Sequence, residues 1–328
     1  MRQPWHIPER EATPEHLYLN RRAFLGALGA GALVACAPAK AAPGVEATIP
    51  KAAPPYPFRR SPRYTLDRPL TDETVAATYN NFYEFTQVKD GVWKRVGGFR
   101  VEPWTLTVDG LVSKPQKFSV DDLLKMMPME ERLYRHRCVE AWSMAVPWSG
   151  FPLRALLQRV EPKPNARYVR FVSFSDARQM PGVAEEAWYP WPYYEGLRID
   201  EAMHELTLAA TGIYGHALPK QHGAPLRIVT PWKYGYKSPK SVVRIELLEK
   251  QPHTFWEDLA PNEYPFESNV NPAVPHPRWS QATERVIGTF DVRATMPFNG
   301  YGAFVRSLYS SLGARASGPQ RSGLRPGR

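Results

Sequence analysis

The chain has 328 residues, 43% of them hydrophobic, which is enough to bury a sizeable core. Its 12% aromatic content excludes disorder throughout, and no repeat runs through it. The net charge of +10 excludes less than its size suggests: residues 1–42 hold +2, residues 306–328 hold +5, and the body between is nearly balanced at +3. That body is not the surface of a phosphate-backbone binder, so no nucleic-acid partner is expected.

Residues 1–22 are polar and end in Arg21-Arg22, and residues 23–39 carry no charge. A basic start, an apolar stretch and small residues after it describe an export signal. The stretch is mostly Ala and Gly, a poor membrane anchor. Arg21-Arg22-Ala23-Phe24-Leu25 resembles a twin-arginine (Tat) signal, with Asn20 where Ser or Thr is more usual. Ala39-Lys40-Ala41 offers a small-x-small cleavage site, which makes residues 1–41 the signal and the periplasm the destination. Leu33-Val34-Ala35-Cys36 competes as a lipoprotein box with Cys36 lipidated. Gly26, Gly29 and Gly31 imitate a nucleotide-binding cluster but follow no strand.

Residues 42–63, rich in Pro and Arg, read as an extended arm. Residues 78–85 form a dense aromatic and amide patch without a helical period. Residues 104–108 alternate as a strand, closed by Asp109-Gly110. Ser119 caps a short helix through Met127, and Pro128 stops it. Residues 132–138 predict a strand that ends at Cys138. Pro152 opens a helix through Val160, and residues 168–174 read as a strand. A loop rich in Trp, Tyr and Pro runs around Trp188–Tyr194. Residues 225–229 and 241–248 read as strands, and a helix is expected from Ser280. Short strands with few helices and no βαβ rhythm predict an α+β fold with a single main domain over residues 64–305. The Gly-, Ser- and Arg-rich residues 306–328 read as a basic, disordered tail.

Cys36 leaves with the signal, so one thiol remains, Cys138, and it cannot close an internal disulfide. Its flank, Tyr134-Arg135-His136-Arg137, is cationic, which predicts a lowered thiol pKa and a reactive or metal-binding thiolate. The alternative is a buried structural Cys. H-E-x-x-H, G-x-S-x-G, P-loop, C-x-x-C and C-x-x-C-H motifs are absent from the sequence, which weakens zinc-protease, hydrolase, NTPase and c-type haem readings. His136 is read as a surface or cavity histidine rather than a second ligand.

Arg137-Cys138-Val139-Glu140-Ala141-Trp142-Ser143-Met144 resembles the molybdopterin enzymes of the sulfite oxidase family, in its periplasmic, methionine-sulfoxide-reducing branch. The resemblance spans about residues 60–305. It rests also on Tyr79 to Phe85, Pro147-Trp148, Gly223 to Arg227, Pro231 to Gly235 and the block from His276-Pro277-Arg278-Trp279-Ser280-Gln281 to Arg285. It implies a sulfite-oxidase-like fold and a Mo-molybdopterin cofactor, one molybdenum per chain, held by two dithiolene sulfurs and the catalytic Cys138 thiolate. It places Asn80, Tyr83, Glu84, Ser173, His222, Arg227, Ser238, Pro239 and Lys240 against the pterin, with Arg227 and Lys240 suited to its phosphate. Ser173 stands where Thr is usual, His222 where Asn is, and Ser238-Pro239 replaces a Gly-containing pair. The implied activity removes oxygen from methionine sulfoxide in oxidised periplasmic proteins. The implied electron source is the quinone pool, through a membrane haem b subunit. Two alternatives stand beside it: a sulfite-oxidising enzyme that uses Arg135, Arg137 and Arg170, and an exported binding protein in which Cys138 is structural.

Overall fold

The computed structural model describes residues 44–309, so the proposed signal and most of the proposed tail lie outside the described residues. The arm over residues 44–63 runs without strands, broken by cis bonds before Pro55 and Pro57. Helix α1 (Glu73–Thr78) is capped by Asp72, whose carboxylate accepts from the Thr74 and Val75 amides. Its last turn hands over to the patch at Tyr79–Phe85, and a second short helix, α2 (Val92–Arg95), follows.

Strands β1 (Thr105–Gly110) and β2 (Gln116–Ser119) form a hairpin, and Ser119 caps α3 (Val120–Met126) by accepting from the Asp122 amide at 3.0 Å. Strands β3 (Glu130–Arg137) and β4 (Trp142–Pro152) come next, then α4 (Leu153–Val160). Leu153, Leu156, Leu157 and Val160 occupy one buried stripe of α4, which is why that segment coils. Strand β5 (Tyr168–Ser173), α5 (Pro181–Glu185), β6 (Tyr194–Arg198) and α6 (Ile199–Ala202) lead to β7 (Leu208–Ile213), β8 (His216–Ala217), β9 (Arg227–Val229) and β10 (Val242–Leu248). The chain then runs through α7 (Phe255–Leu259), β11 (Thr283–Val286), β12 (Val292–Ala294) and α8 (Gly302–Val305).

Two mixed sheets result. One has the order β2-β1-β10-β5-β6, parallel only at β1–β10. The other has the order β12-β11-β4-β7-β8, with β3 on β4 and β9 on β7. Leu106, Phe171, Ile245 and Leu247 of the first sheet share a buried cluster with Phe151, Ala209 and Ile228 of the second, so one core joins the two. This is the α+β architecture expected.

Three expectations need correction or refinement. No helix begins at Ser280; residues 283–286 are β11, which lies parallel to β4 with Arg285 opposite Trp142. Backbone pairing to a buried neighbour overrides the weak local helical pattern. The strand expected at residues 225–229 is shorter, Arg227–Val229. Arg306–Leu308 forms a turn of 3-10 helix rather than tail, and the Tyr309 hydroxyl bonds Trp232 Nε1 at 2.8 Å and Glu201 Oε1 at 2.6 Å.

Candidate active site

Cys138 sits in the tight turn from β3 to β4. The Cys138 amide bonds the Trp142 carbonyl at 2.9 Å, the Ala141 amide bonds the Cys138 carbonyl at 3.1 Å, and Ala141 takes the left-handed conformation at φ 60°. The thiol faces a cavity. Into that cavity the fold also brings Asn80, Tyr83, Glu84, His136, His222, Arg227, Ser238, Pro239 and Lys240. Every expected cofactor contact except Ser173 therefore lines one cavity with Cys138. Ser173 ends β5, opposite Val242, with its hydroxyl buried and unpartnered behind the cavity wall. Its place in the wall is taken by Tyr193, whose carbonyl accepts from the Ser173 amide at 2.9 Å.

One region of the cavity wall is cationic. Arg227 is buried, and its guanidinium donates to the His222 carbonyl at 2.8 Å and the Ser238 carbonyl at 3.3 Å, while Nε has no partner. Among the described residues no carboxylate pairs with it. Burial alone pulls its pKa down to about 9. Lys240 Nζ donates to the Asn81 carbonyl at 2.6 Å, and burial, then the charge of Arg227, lowers its pKa. Glu84 shares this region and is raised by burial. Gly223, at φ 94°, lets Lys240 approach: a Cβ there would lie 2.6 Å from Lys240 Cβ. His222 and His136 are both held neutral by burial and by Arg227 and Lys240, with His136 drawn down to about 3.

Around the sulfur the polar groups are different. Asn81 Nδ2 donates to Cys138 Sγ at 3.4 Å and to Glu140 Oε2 at 2.9 Å. The Glu140 amide points at Sγ from 3.5 Å, and the Glu140 carboxylate pairs with Lys89 at 3.0 Å. The residues missed from sequence are these: Asn81, Glu140 and Lys89. Asn81 and Glu140 stood inside the motifs already quoted, but only the fold puts both on the sulfur.

The expected cationic activation of the thiol is not found. Burial, then the Glu140 carboxylate, pushes the Cys138 pKa up to about 12. Arg135 turns away to Asp67 at 2.8 Å, and Arg137 turns behind the turn to Glu284 at 3.1 Å. Arg170 lies in the other sheet, over the Tyr194 ring at 5.1 Å. The three arginines considered for a sulfite site therefore do not converge.

These residues fit a molybdopterin. Among the described residues no group of three His, Cys, Asp or Glu side chains could hold a metal, and Cys138 is the free thiol on the cavity wall. The unpartnered Arg227 Nε and the Lys240 ammonium, neither of them in an ion pair, suit the phosphate of such a cofactor. A bound cation would also reverse the pressure on Cys138 and deprotonate it.

The fold and the cavity thus define a molybdopterin-binding oxidoreductase, and a family model described as "Oxidoreductase molybdopterin binding domain" matches residues 94–256. Asn80, Tyr83 and Glu84 lie outside that match yet inside the cavity. The catalytic subunit MsrP of a protein-methionine-sulfoxide reductase from Ralstonia nicotianae is 50% identical over 320 residues, 94% of this chain and 95% of that one. The protein of the same name from Burkholderia mallei is 49% identical over 317 residues, 93% and 94% of the two chains. The chain belongs to this family of molybdopterin-binding catalytic subunits. The crystal structure of the sulfane dehydrogenase SoxCD from Paracoccus pantotrophus aligns with a TM-score of 0.44 at 20% identity, over 58% of this chain and 49% of that one.

Proposed function

We propose that the protein is an exported, molybdenum-dependent reductase that returns methionine sulfoxide residues of oxidised proteins to methionine. The observation that carries the reading is one thiol facing a cavity whose wall also holds a buried Arg227 and a half-buried Lys240, neither with an acid partner within bonding distance. The bound cofactor would supply two-electron oxygen-atom transfer. The overall reaction takes the sulfoxide, two electrons and two protons to the thioether and water.

The chain's own residues bind, orient and protonate. Arg227 and Lys240 would hold the pterin phosphate, and Cys138 would hold the metal. Tyr79 and Trp142, in edge contact at 5.2 Å, and Trp256 with Tyr264, at 5.1 Å, give apolar walls that suit a thioether and exclude water. Glu140, half-buried, ion-paired to Lys89 and 3.6 Å from Sγ, is placed to pass a proton from solvent. The sequence holds no haem-attachment motif, so electrons would come from a partner, a membrane haem b subunit fed by quinone. Sulfite oxidation is disfavoured because Arg135, Arg137 and Arg170 are engaged elsewhere.

Cys138→Ser tests the reading. Molybdenum content and the metal's absorption spectrum should change, and turnover of methionine sulfoxide with a chemical reductant should fall to background while the protein stays folded. A Ser variant that keeps wild-type turnover and spectrum overturns it.

A further inference from the structure

The block from His276 to Gln281 marks the family resemblance without a role in the chemistry above, and its position gives it one. Gln281 Nε2 donates to the Val139 carbonyl at 2.6 Å, and Trp279 Nε1 donates to the same oxygen at 2.7 Å. Gln281 is buried, and its Oε1 accepts from Arg137 at 2.8 Å. Arg137 in turn reaches the Cys138 and Thr283 carbonyls and the Thr295 hydroxyl, and pairs with buried Glu284. Trp279 is itself fixed by a parallel stack on His276 at 3.8 Å.

The Val139 carbonyl and the Glu140 N–H belong to one peptide unit. That unit is planar and trans, so its C=O and N–H point in opposite directions. Fixing the oxygen from outside fixes the N–H on the inside, and that N–H points at Cys138 Sγ from 3.5 Å. Two donors on one carbonyl also polarise the peptide and strengthen its N–H as a donor. The turn needs such support because Ala141 holds a left-handed φ of 60°.

We propose that Gln281 and Trp279 are positioning residues that clamp the Val139–Glu140 peptide and aim its N–H at the Cys138 sulfur, setting the electron donation of that sulfur to the metal. The inference rests on Cys138 being the metal ligand and is independent of which sulfoxide is reduced. A hydrogen bond to a metal-bound thiolate draws charge from the sulfur and raises the metal's reduction potential.

The test uses Gln281→Met, Gln281→Glu and Trp279→Phe. Met removes both Gln281 bonds without adding charge; Glu keeps the acceptor for Arg137 and removes the donor to Val139. In the cofactor-free protein, amide hydrogen exchange across residues 138–142 should speed up by about tenfold in both Gln281 variants, the effect of one lost hydrogen bond on a local opening. In the loaded protein both should shift the molybdenum potential negative and move the sulfur-to-metal absorption band, with Trp279→Phe shifting the same way. Thermal stability should fall for both Gln281 variants, and the potential shift in Trp279→Phe, which leaves the Gln281 bonds in place, separates aiming from mere support. Unchanged exchange and potential in a folded Gln281→Met or Trp279→Phe would overturn the clamp. A wild-type spectrum in Cys138→Ser would instead overturn the ligand assignment beneath it.

Discussion

Arg227 is the side chain whose burial most directly reports a missing counter-charge. Its two bonds to carbonyls offset only part of the cost of desolvating a guanidinium. Arg227→Met should therefore stabilise the cofactor-free protein by about 1–2 kcal/mol, the difference between the relieved charge and two lost hydrogen bonds. The same variant should purify with less molybdopterin. A lower denaturant midpoint in the cofactor-free Arg227→Met would contradict this. His222 makes the matching case for pH. The folded state keeps it neutral, against Arg227, Lys240, His216 and His136, while the unfolded chain protonates it below about pH 6.5. The unfolded state then binds more protons, so stability drops as pH falls from about 6.5, by up to ~1.4 kcal/mol per unit. His222→Asn should flatten that slope in melts of the cofactor-free protein at pH 7, 6 and 5. At this scale the sequence itself singled out Cys138 as the lone thiol; the family resemblance supplied Arg227 and Lys240, which line the same cavity. The sequence was not readable for the sign of the thiol pKa, because nothing local says that Arg135 turns to Asp67 and Arg137 to Glu284.

Helix α5 shows how an element places the site. A Cβ on Gly182 would meet the Tyr83 carbonyl oxygen at 2.2 Å and the Glu84 carbonyl carbon at 2.7 Å, so only glycine lets α5 lie against the backbone that carries Tyr83 and Glu84. Gly182→Ala should cost ~1–3 kcal/mol as overpacking and reduce cofactor retention, read by thermal melts and metal analysis. A variant with wild-type melting and full loading would show that the segment yields without consequence. Elements with a one-sided pattern were legible: α4 from its apolar spacing, α3 from its Ser119 cap, β1 from alternation. Strand β4 was not, because all eleven of its residues are buried and it shows neither alternation nor a turn signal. Strand β11 was misread because its pairing partner, β4, lies far earlier in the chain.

Across the whole chain, the site depends on segments that the sequence keeps far apart: the patch after α1, the β3–β4 turn, β9 and α7 all meet in one cavity. Delivery of such a protein with its cofactor in place would require export after folding. Changing Arg21→Lys together with Arg22→Lys should leave the protein in the cytoplasm at its unprocessed mass, in fractionation followed by mass spectrometry; normal processing and delivery would overturn the twin-arginine reading. The single sulfur described at the turn has a wider consequence. Among the described residues no group of three His, Cys, Asp or Glu side chains is arranged to hold a metal, so a stray zinc or copper ion finds no ready-made cage there. Sites built from three or four side chains must compete for the right ion wherever they fold. With Cys138 as the chain's one ligand, as proposed, the choice of metal would fall to whatever assembles the organic carrier, and the polypeptide would be protected from mismetallation by how little it offers.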